Sequence, residues 1–328
     1  MSLFHGHSPR AALALSAVLL IAITAVAVRD LSPRISITPL RRSDLLHPAS
    51  SSVPHYFEAN PNQIFHTAPP FANPVTTEYL MNSDGLNESH NYATTTAPRT
   101  FRIVTLGDSW TFGKFVKTED NFSERLEVAL HAKLACPTYD SFEVINLGVP
   151  GLDMAYAVER FRIRGQKYHP ALLIWLMLQG DYDEINEEIF PVVEAKFPPG
   201  TPINSDRIGN GSVSDAISKA IKDSHNRRTP EEYQAMQERT LRSIQNLEDR
   251  EILLLTANGD AGLKPDFKQI LEKFDEDAQN VQWHESPVQF REANTFPDGH
   301  PNALGHEELA QDLFEYVRTR YLPECSLK

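Results

Sequence analysis

Beyond Arg99 the sequence alternates between short apolar runs and longer helical patterns. The runs have the composition of strands buried on both faces, at residues 101–106, 142–147, 171–178, 251–256 and, more weakly, 281–283. The helical patterns lie at 121–134, 154–167, 230–249, 264–274 and 303–320. This alternation is typical of βαβ units with right-handed crossovers. We therefore expect an α/β fold, a flavodoxin-like three-layer α/β/α sandwich with a five-stranded parallel sheet in the order 2-1-3-4-5.

One connection is longer than a crossover requires. About 70 residues separate Gly180 from Arg250, whereas a crossover needs only about a dozen. The excess, at about 184–228, leaves the carboxyl end of the third strand. We expect this insertion to form a rim or lid over a ligand site at that edge.

The N-terminal 29 residues predict export. Residues 11–28 form an uncharged apolar run of 18 residues between Arg10 and Arg29. That length just spans a bilayer, so we expect a signal anchor, although the Ala-Val-Ala triplet at 25–27 also suits a cleaved signal peptide. In either case the remaining chain is predicted to be periplasmic or extracellular, and a retained anchor would tether it to the membrane.

The exported part divides at about residue 99. Residues 30–98 are rich in Pro, Ser, Thr and Asn and predict a stalk and an N-terminal extension lying on the domain. Residues 99–328 form the predicted domain and contain both cysteines, Cys136 and Cys325. Export permits a disulfide between them that would staple the tail to the core, and two unrelated thiols are the alternative.

Polar segments follow the predicted strands where the strands end. "GDSWTFG" (107–113), "NLGVPG" (146–151) and "LQGDYDE" (178–184) follow the first three strands, and "FPDGHPN" (296–302) comes after the fifth. The carboxyl ends of parallel strands meet at one edge of a sheet. Together the segments supply a serine, glycine N–H groups and a histidine near a carboxylate, which is the set needed for acyl transfer. Taken alone, Ser109 fits a helix N-cap better than a nucleophile, because Ser and Asp are favoured caps.

The order of these segments resembles the SGNH (GDSL) hydrolases, esterases and acyltransferases with a flavodoxin-like fold, over residues 99 to about 320. "MNSDGLN" (81–87) is similar to the lead-in of exported bacterial members. The resemblance implies that Ser109 is the nucleophile and His300 the general base. Asp298 would hold the imidazole in the right tautomer. The N–H groups of Ser109 and Gly151 would form the oxyanion hole.

Two positions depart from the family pattern. Asp298 stands two residues before His300, where many members have a spacing of three. In an extended segment such residues face the same way, so we expect the pair to cooperate. Asp181 occupies the place of the asparagine that donates to the oxyanion. Either Asp181 is protonated and donates, or Gln179 or Asn186 supplies the amide.

The sequence therefore predicts a serine esterase that removes acyl groups, foremost acetyl, from a carbohydrate or lipid. Alternatives are an O-acyltransferase acting on an extracytoplasmic polysaccharide, a binding module weakened at Asp181, and a glycosidase that pairs Asp181 with Asp183 or Glu184. Apart from His300 and His306, the histidines show no ligand spacing, so we expect no metal and no cofactor. The net charge of −13, with no basic stripe, argues against a nucleic-acid partner. The oligomeric state stays open.

Overall fold

A computed structural model describes residue 46 and residues 48–67, 77–196, 211–247, 250–257 and 262–328. The predicted signal anchor at 11–28 and the first part of the predicted stalk lie outside these residues. Within them, none of the helices combines the length and the apolar character needed to traverse a bilayer.

The strands are β1 Gln63–Thr67, β2 Thr77–Met81, β3 Thr100–Leu106, β4 Leu134–Ala135, β5 Ser141–Asn146, β6 Leu172–Met177, β7 Glu251–Thr256, β8 Val281–Glu285 and β9 Ser326–Leu327. The helices are α1 Ser109–Phe112, α2 Phe122–Lys133, α3 Met154–Arg160, α4 Gln179–Asp183, α5 Asn186–Lys196, α6 Gly211–His225, α7 Pro230–Ser243, α8 Pro265–Asp277 and α9 Ala303–Arg320. One π turn, Phe161–Gly165, continues α3.

The central sheet contains β5, β3, β6, β7 and β8 in that spatial order, and all neighbouring strands are parallel. Numbered along the chain, this is the predicted order 2-1-3-4-5. The sheet is parallel because a helix-containing connection joins each strand to the next and returns the chain to the same end of the sheet. The carboxyl ends of β3, β5 and β6 therefore lie side by side.

Helices cover both faces of the sheet. In β3, Val104 and Leu106 pack into the core formed with α3, α7 and α8, whereas Phe101 and Ile103 pack into the core formed with α2 and α9. Successive strand residues point to opposite faces, so a strand covered on both sides is apolar at nearly every position. The predicted three-layer α/β/α architecture is confirmed.

The described part of the predicted extension packs against the domain. β1 and β2 form an antiparallel hairpin. Before the hairpin, Glu58 forms a buried ion pair with Arg160 Nη1 at 2.5 Å and a second pair with Arg164. Burial disfavours the charge of Glu58, but the hydrogen bond from Arg164 and the charges of both arginines hold its pKa below the ordinary value. Removing one partner of such a buried pair costs about 3–5 kcal/mol, so this extension belongs to the folded unit.

Two helices, α5 and α6, belong to the predicted insertion at about 184–228. They pack on each other through apolar side chains that include Val193 and Ile217. At the end of α6, His225 Nε2 lies 2.8 Å from the backbone oxygen of Asp183 in α4. This contact attaches the insertion to the carboxyl end of β6, and its role as a rim or lid stays a prediction.

A disulfide joins Cys136 and Cys325 across a sequence separation of 189 residues. Next to it, β4 pairs with β9, with Leu134 opposite Leu327. The sequence left open whether these cysteines form a disulfide or are two unrelated thiols, and the structure contains the disulfide. The bridge and the short β-ladder together attach the C-terminal end to the domain.

We expect the double replacement Cys136→Ser, Cys325→Ser to lower the free energy of unfolding by about 2–5 kcal/mol, because the bridge restricts a long loop in the unfolded chain. Urea denaturation under oxidising conditions measures this difference. Dithiothreitol should destabilise the native protein to a similar extent and leave the double variant unchanged. Equal stability of the two oxidised proteins would contradict the prediction.

Candidate active site

Ser109 opens a short helix just after strand β3, which ends at Leu106. The turn depends on Gly107, which has φ +152°, and a β carbon there would lie 2.3 Å from Thr111 Oγ1. Asp108 caps α1, because its Oδ1 accepts a hydrogen bond from the N–H of Trp110 at 2.9 Å. The cap role considered for Ser109 is therefore filled by Asp108, and the Ser109 hydroxyl is turned to other partners.

The Ser109 hydroxyl lies against an imidazole. Ser109 Oγ is 2.8 Å from His300 Nε2, and His300 Nδ1 is 2.8 Å from Asp298 Oδ2. When Nδ1–H donates to the carboxylate, Nε2 carries the lone pair that accepts the serine proton. A second contact, from Ser109 Oγ to Asp108 Oδ2, is longer at 3.3 Å. The three side chains have the contacts of a Ser-His-Asp triad.

A tight turn, rather than the extended segment expected from the sequence, pairs Asp298 with His300. Gly299 has φ +90°, which favours glycine. The Phe296 N–H donates to the backbone oxygen of His300 at 2.7 Å, and the Gly299 N–H donates to that of Phe296 at 2.9 Å. The Asp298 side chain folds back so that its Oδ1 also accepts the His300 N–H at 3.2 Å. The carboxylate is thus fixed at two points.

The electrostatics of Asp298 favour its ionised form. Burial alone would raise the pKa of Asp298, but the hydrogen bonds and charge of His300, with a smaller contribution from Lys114, hold it below the ordinary value. The side chains of His300 and Asp298 are only 13% and 9% exposed. A largely buried carboxylate of this kind fixes the imidazole tautomer and stabilises an imidazolium.

The segment after β5 is fastened to the helix that carries Ser109. The side chain of Asn146 donates from Nδ2 to the backbone oxygen of Thr111 and accepts the Gly148 N–H, both at 2.8 Å. A β carbon at Gly148 would lie 2.2 Å from the backbone nitrogen of Phe112, so only glycine allows this approach. At the tip, Gly151 has φ +80°, and a β carbon there would meet nothing within 4 Å. The tip therefore borders open space.

Asp181, the predicted third oxyanion donor, is turned toward the start of its own helix. Its Oδ2 accepts the N–H of Leu178 at 2.8 Å, and the side chain is buried. Burial, followed by the charge of Asp108, raises the pKa of Asp181 well above the ordinary value. The carboxyl group consequently keeps its proton to a higher pH than an exposed aspartate does. Because Oδ2 accepts the Leu178 N–H, the proton is assigned to the other oxygen, Oδ1.

The amides considered as substitutes for Asp181 already have partners. Asn186 Nδ2 donates to the backbone oxygen of Gly151 at 2.8 Å. Gln179 Nε2 donates to Asp183 Oδ1 at 3.0 Å, and Gln179 Oε1 accepts the Lys264 N–H at 2.7 Å. Asp183 Oδ2 also pairs with Lys264 Nζ at 2.6 Å. The two amides therefore hold neighbouring loops together. Lys264 neutralises Asp183, one of the carboxylates that a glycosidase would require.

Sequence reasoning missed two neighbours of the triad. The ring of Phe115 packs edge-to-face against His300, with 5.7 Å between ring centroids. Lys114 Nζ lies 4.8 Å from the centroid of the Phe115 ring. In the sequence, only the position of Lys114 and Phe115 directly after the motif at 107–113 could have indicated that they lie near the triad. Among the residues that the structure describes, no group of three or more His, Cys, Asp or Glu could hold a metal ion.

Solved structures of several esterases are similar to this chain. They include a family two carbohydrate esterase from Clostridium thermocellum in complex with cellohexaose, with 12% identity, a TM-score of 0.42 and coverage of 69% of this chain and 66% of that one. A two-domain esterase (CEX) active on acetylated mannans has 15% identity, a TM-score of 0.43 and coverage of 67% and 49%. The psychrotrophic esterase EstA from Pseudoalteromonas sp. has 13% identity, a TM-score of 0.39 and coverage of 68% and 99%.

No protein-family model and no curated protein matches the chain. The chain spans slightly less than two thirds of the first of these esterases and about half of the second. At such identities and TM-scores the likeness carries no argument about activity or substrate. The order of the motifs, the order of the strands and the contacts around Ser109 are features of this chain itself. The strand order is that of a flavodoxin-like α/β fold, and the order of the motifs resembles that of the SGNH hydrolases.

Proposed function

We propose that the protein is a serine esterase that removes acyl groups, foremost acetyl, from a carbohydrate. The observation that carries the proposal is the 2.8 Å contact between Ser109 Oγ and His300 Nε2, with Asp298 on the other ring nitrogen. A serine hydroxyl is a weak nucleophile until a neighbouring base removes its proton. Here the base is in contact, and the cap role that would otherwise explain the serine belongs to Asp108.

In the proposed reaction, Ser109 Oγ attacks the ester carbonyl while His300 Nε2 takes its proton. Asp298 stabilises the imidazolium, which then gives its proton to the departing sugar hydroxyl. Water attacks the resulting acyl-serine with the help of the same histidine and releases the acid. The N–H groups of Ser109 and Gly151 are the proposed oxyanion donors, and each aligned donor lowers the barrier by about 3–4 kcal/mol.

The decisive assay compares hydrolysis with transfer. The purified protein is incubated with acetylated polysaccharides, acyl p-nitrophenyl esters or glycerolipids, with and without an unacetylated polysaccharide acceptor. The esterase proposal predicts acetate release that does not depend on the acceptor. Acetyl groups appearing on the acceptor would instead identify an O-acyltransferase, and turnover of lipids alone would reassign the substrate. If no arm of the assay yields a product and a fluorophosphonate does not react, the protein is a binding module rather than an enzyme.

We also propose that the domain is exported and tethered by residues 11–28. The support is the apolar run itself and the Cys136–Cys325 disulfide, because disulfides persist in oxidising compartments outside the cytosol. Cell fractionation followed by protease treatment of intact or osmotically shocked cells tests this proposal. A protease-protected cytosolic protein would contradict it.

The Asp181→Asn variant should be faster than the native enzyme at alkaline pH. Burial and then the like charges of Asp108, Glu184 and Asp153 raise the pKa of Asp181, so it ionises only at a pH well above that of an ordinary aspartate. Two like charges about 4 Å apart repel by about 4 kcal/mol at an effective dielectric near 20. A developing oxyanion near ionised Asp181 is opposed in the same way, so the native rate should fall at high pH by up to about 10³-fold.

Asparagine is neutral at every pH and keeps an oxygen to accept the Leu178 N–H, so the Asp181→Asn variant should lose the alkaline decline. Rate profiles of kcat/KM from pH 5 to about pH 10 measure the difference. Asp183→Asn is the matched control, because Asp183 pairs with Lys264 and should leave the alkaline limb unchanged. Loss of activity at all pH values in Asp181→Asn would mean that the carboxylate performs chemistry of its own.

A further inference from the structure

Phe115 has a strained backbone that two side chains of the hairpin hold in place. Its φ of +70° is a genuine outlier for a bulky residue. The Phe115 N–H donates to Tyr79 Oη at 2.6 Å, and Thr77 Oγ1 donates to the Phe115 backbone oxygen at 3.0 Å. Strand β2 therefore fixes both polar groups of this residue. Strain of this kind persists only where surrounding contacts over-determine it, and it concentrates at functional sites.

The ring of Phe115 packs against both ends of the loop that carries His300. Its centroid lies 5.7 Å from that of His300 and 5.8 Å from that of Phe296, in both cases edge-to-face. The Phe296 N–H donates to the His300 backbone oxygen at 2.7 Å, so these two residues close the loop. Phe115 as a whole is 4% exposed. The ring therefore contacts the loop at both of its ends.

The same residue is connected to the nucleophile. The backbone oxygen of Ser109 accepts the N–H groups of Gly113 at 3.2 Å and Lys114 at 3.0 Å, so the turn that precedes Phe115 is anchored on α1. Five residues of the chain separate Phe115 from Ser109, and the Phe115 ring contacts His300. Phe115 thus links the nucleophile to the base. A rotation of its backbone would move the ring and the base loop relative to the serine.

We propose that Phe115 is a positioning residue that sets the separation between Ser109 Oγ and His300 Nε2, and that Thr77 and Tyr79 hold it in the conformation required. The inference rests on the proposed function of the triad. It makes Thr77 and Tyr79, two side chains of the N-terminal hairpin, supports of the active site. A displacement of about 1 Å between reacting groups costs about 10²-fold in rate, so a modest loosening of this contact is measurable.

The test uses a matched pair of substitutions at one position. Thr77→Val removes the hydroxyl that contacts Phe115 and keeps the side-chain shape, whereas Thr77→Ser keeps the hydroxyl. We expect Thr77→Val and Tyr79→Phe each to lower kcat for a small acetyl ester by about 10-fold, with KM within about twofold, because geometry rather than binding is lost. Thr77→Ser and Glu78→Gln, on the exposed face of the same strand, should retain the native kcat.

A second readout does not depend on turnover. The C–H resonances of the His300 imidazole sense the ring current of Phe115, so they should shift in Thr77→Val and Tyr79→Phe and stay in place in Thr77→Ser and Glu78→Gln. If the native protein hydrolyses no ester, the proposed function is wrong. The His300 resonances still test whether Thr77 and Tyr79 hold Phe115 in position. Equal kcat and equal resonances in Thr77→Val and Thr77→Ser overturn the inference, as does a loss of kcat that only follows a lower melting temperature.

Discussion

Ser109→Ala is expected to lower kcat for an acetyl ester by at least about 10⁴-fold, because the variant lacks the oxygen that forms the acyl intermediate. Residual turnover would come only from the oxyanion donors and from binding. Initial rates on a p-nitrophenyl acetate series measure the loss. The expected effect is large because Ser109 Oγ already contacts the base at 2.8 Å.

The same change should hardly alter the fold. Asp108 caps α1, so removal of the Ser109 hydroxyl loses two side-chain contacts and no helix cap. We expect a change of about 1 kcal/mol or less in the free energy of unfolding. Ser123→Ala is the matched control, because the buried Ser123 hydroxyl on α2 bonds to Thr105 Oγ1 in β3 at 2.8 Å, and its removal should leave kcat intact. Native-like turnover by Ser109→Ala, or its unfolding, would contradict the nucleophile assignment.

His300→Ala should be as damaging as Ser109→Ala, and the double variant should be no slower than either single one. Groups that act as a unit show this non-additivity, because the serine without its base is as inactive as the base without the serine. Measured kcat values for the three variants form the test. A double variant slower than both by the product of their effects would show that the two residues act independently.

A second histidine provides the control for this prediction. His306 is fully buried, its Nδ1 accepts the N–H of Phe122 at 3.2 Å, and burial lowers the pKa of His306 to about 3. It is a neutral packing residue on α9. His306→Gln should therefore lower stability and leave kcat per folded molecule unchanged.

The sheet was predictable because strands covered on both faces are continuous apolar runs. Leu172–Met177 is buried throughout, and the predicted run at 171–178 covers it with one extra residue at each end. The fifth strand was predicted too short, at 281–283 rather than Val281–Glu285, because an edge strand carries half-buried polar residues such as Gln282 and His284. The hairpin β1–β2 gave no signal, since its strands are short and the segment around them is rich in proline and asparagine.

In the candidate site, the residue types were predictable and their local geometry was not. Ser109, Asp298 and His300 lie together, as the order of the motifs indicated. The turn at Gly299 that pairs the last two residues was missed, because an i, i+2 spacing fits both a strand and a turn. Phe115 was missed because nothing in a phenylalanine predicts a positive φ, which tertiary contacts from a distant hairpin impose.

The most direct test of the proposed esterase mechanism is covalent labelling with a fluorophosphonate, followed by intact-mass measurement and peptide mapping. Only a serine activated by a neighbouring base reacts at a useful rate. The proposed mechanism predicts one adduct per chain, located on Ser109, absent in Ser109→Ala and strongly slowed in His300→Ala. Absence of labelling in the folded native protein, or an adduct on any other residue, would contradict it.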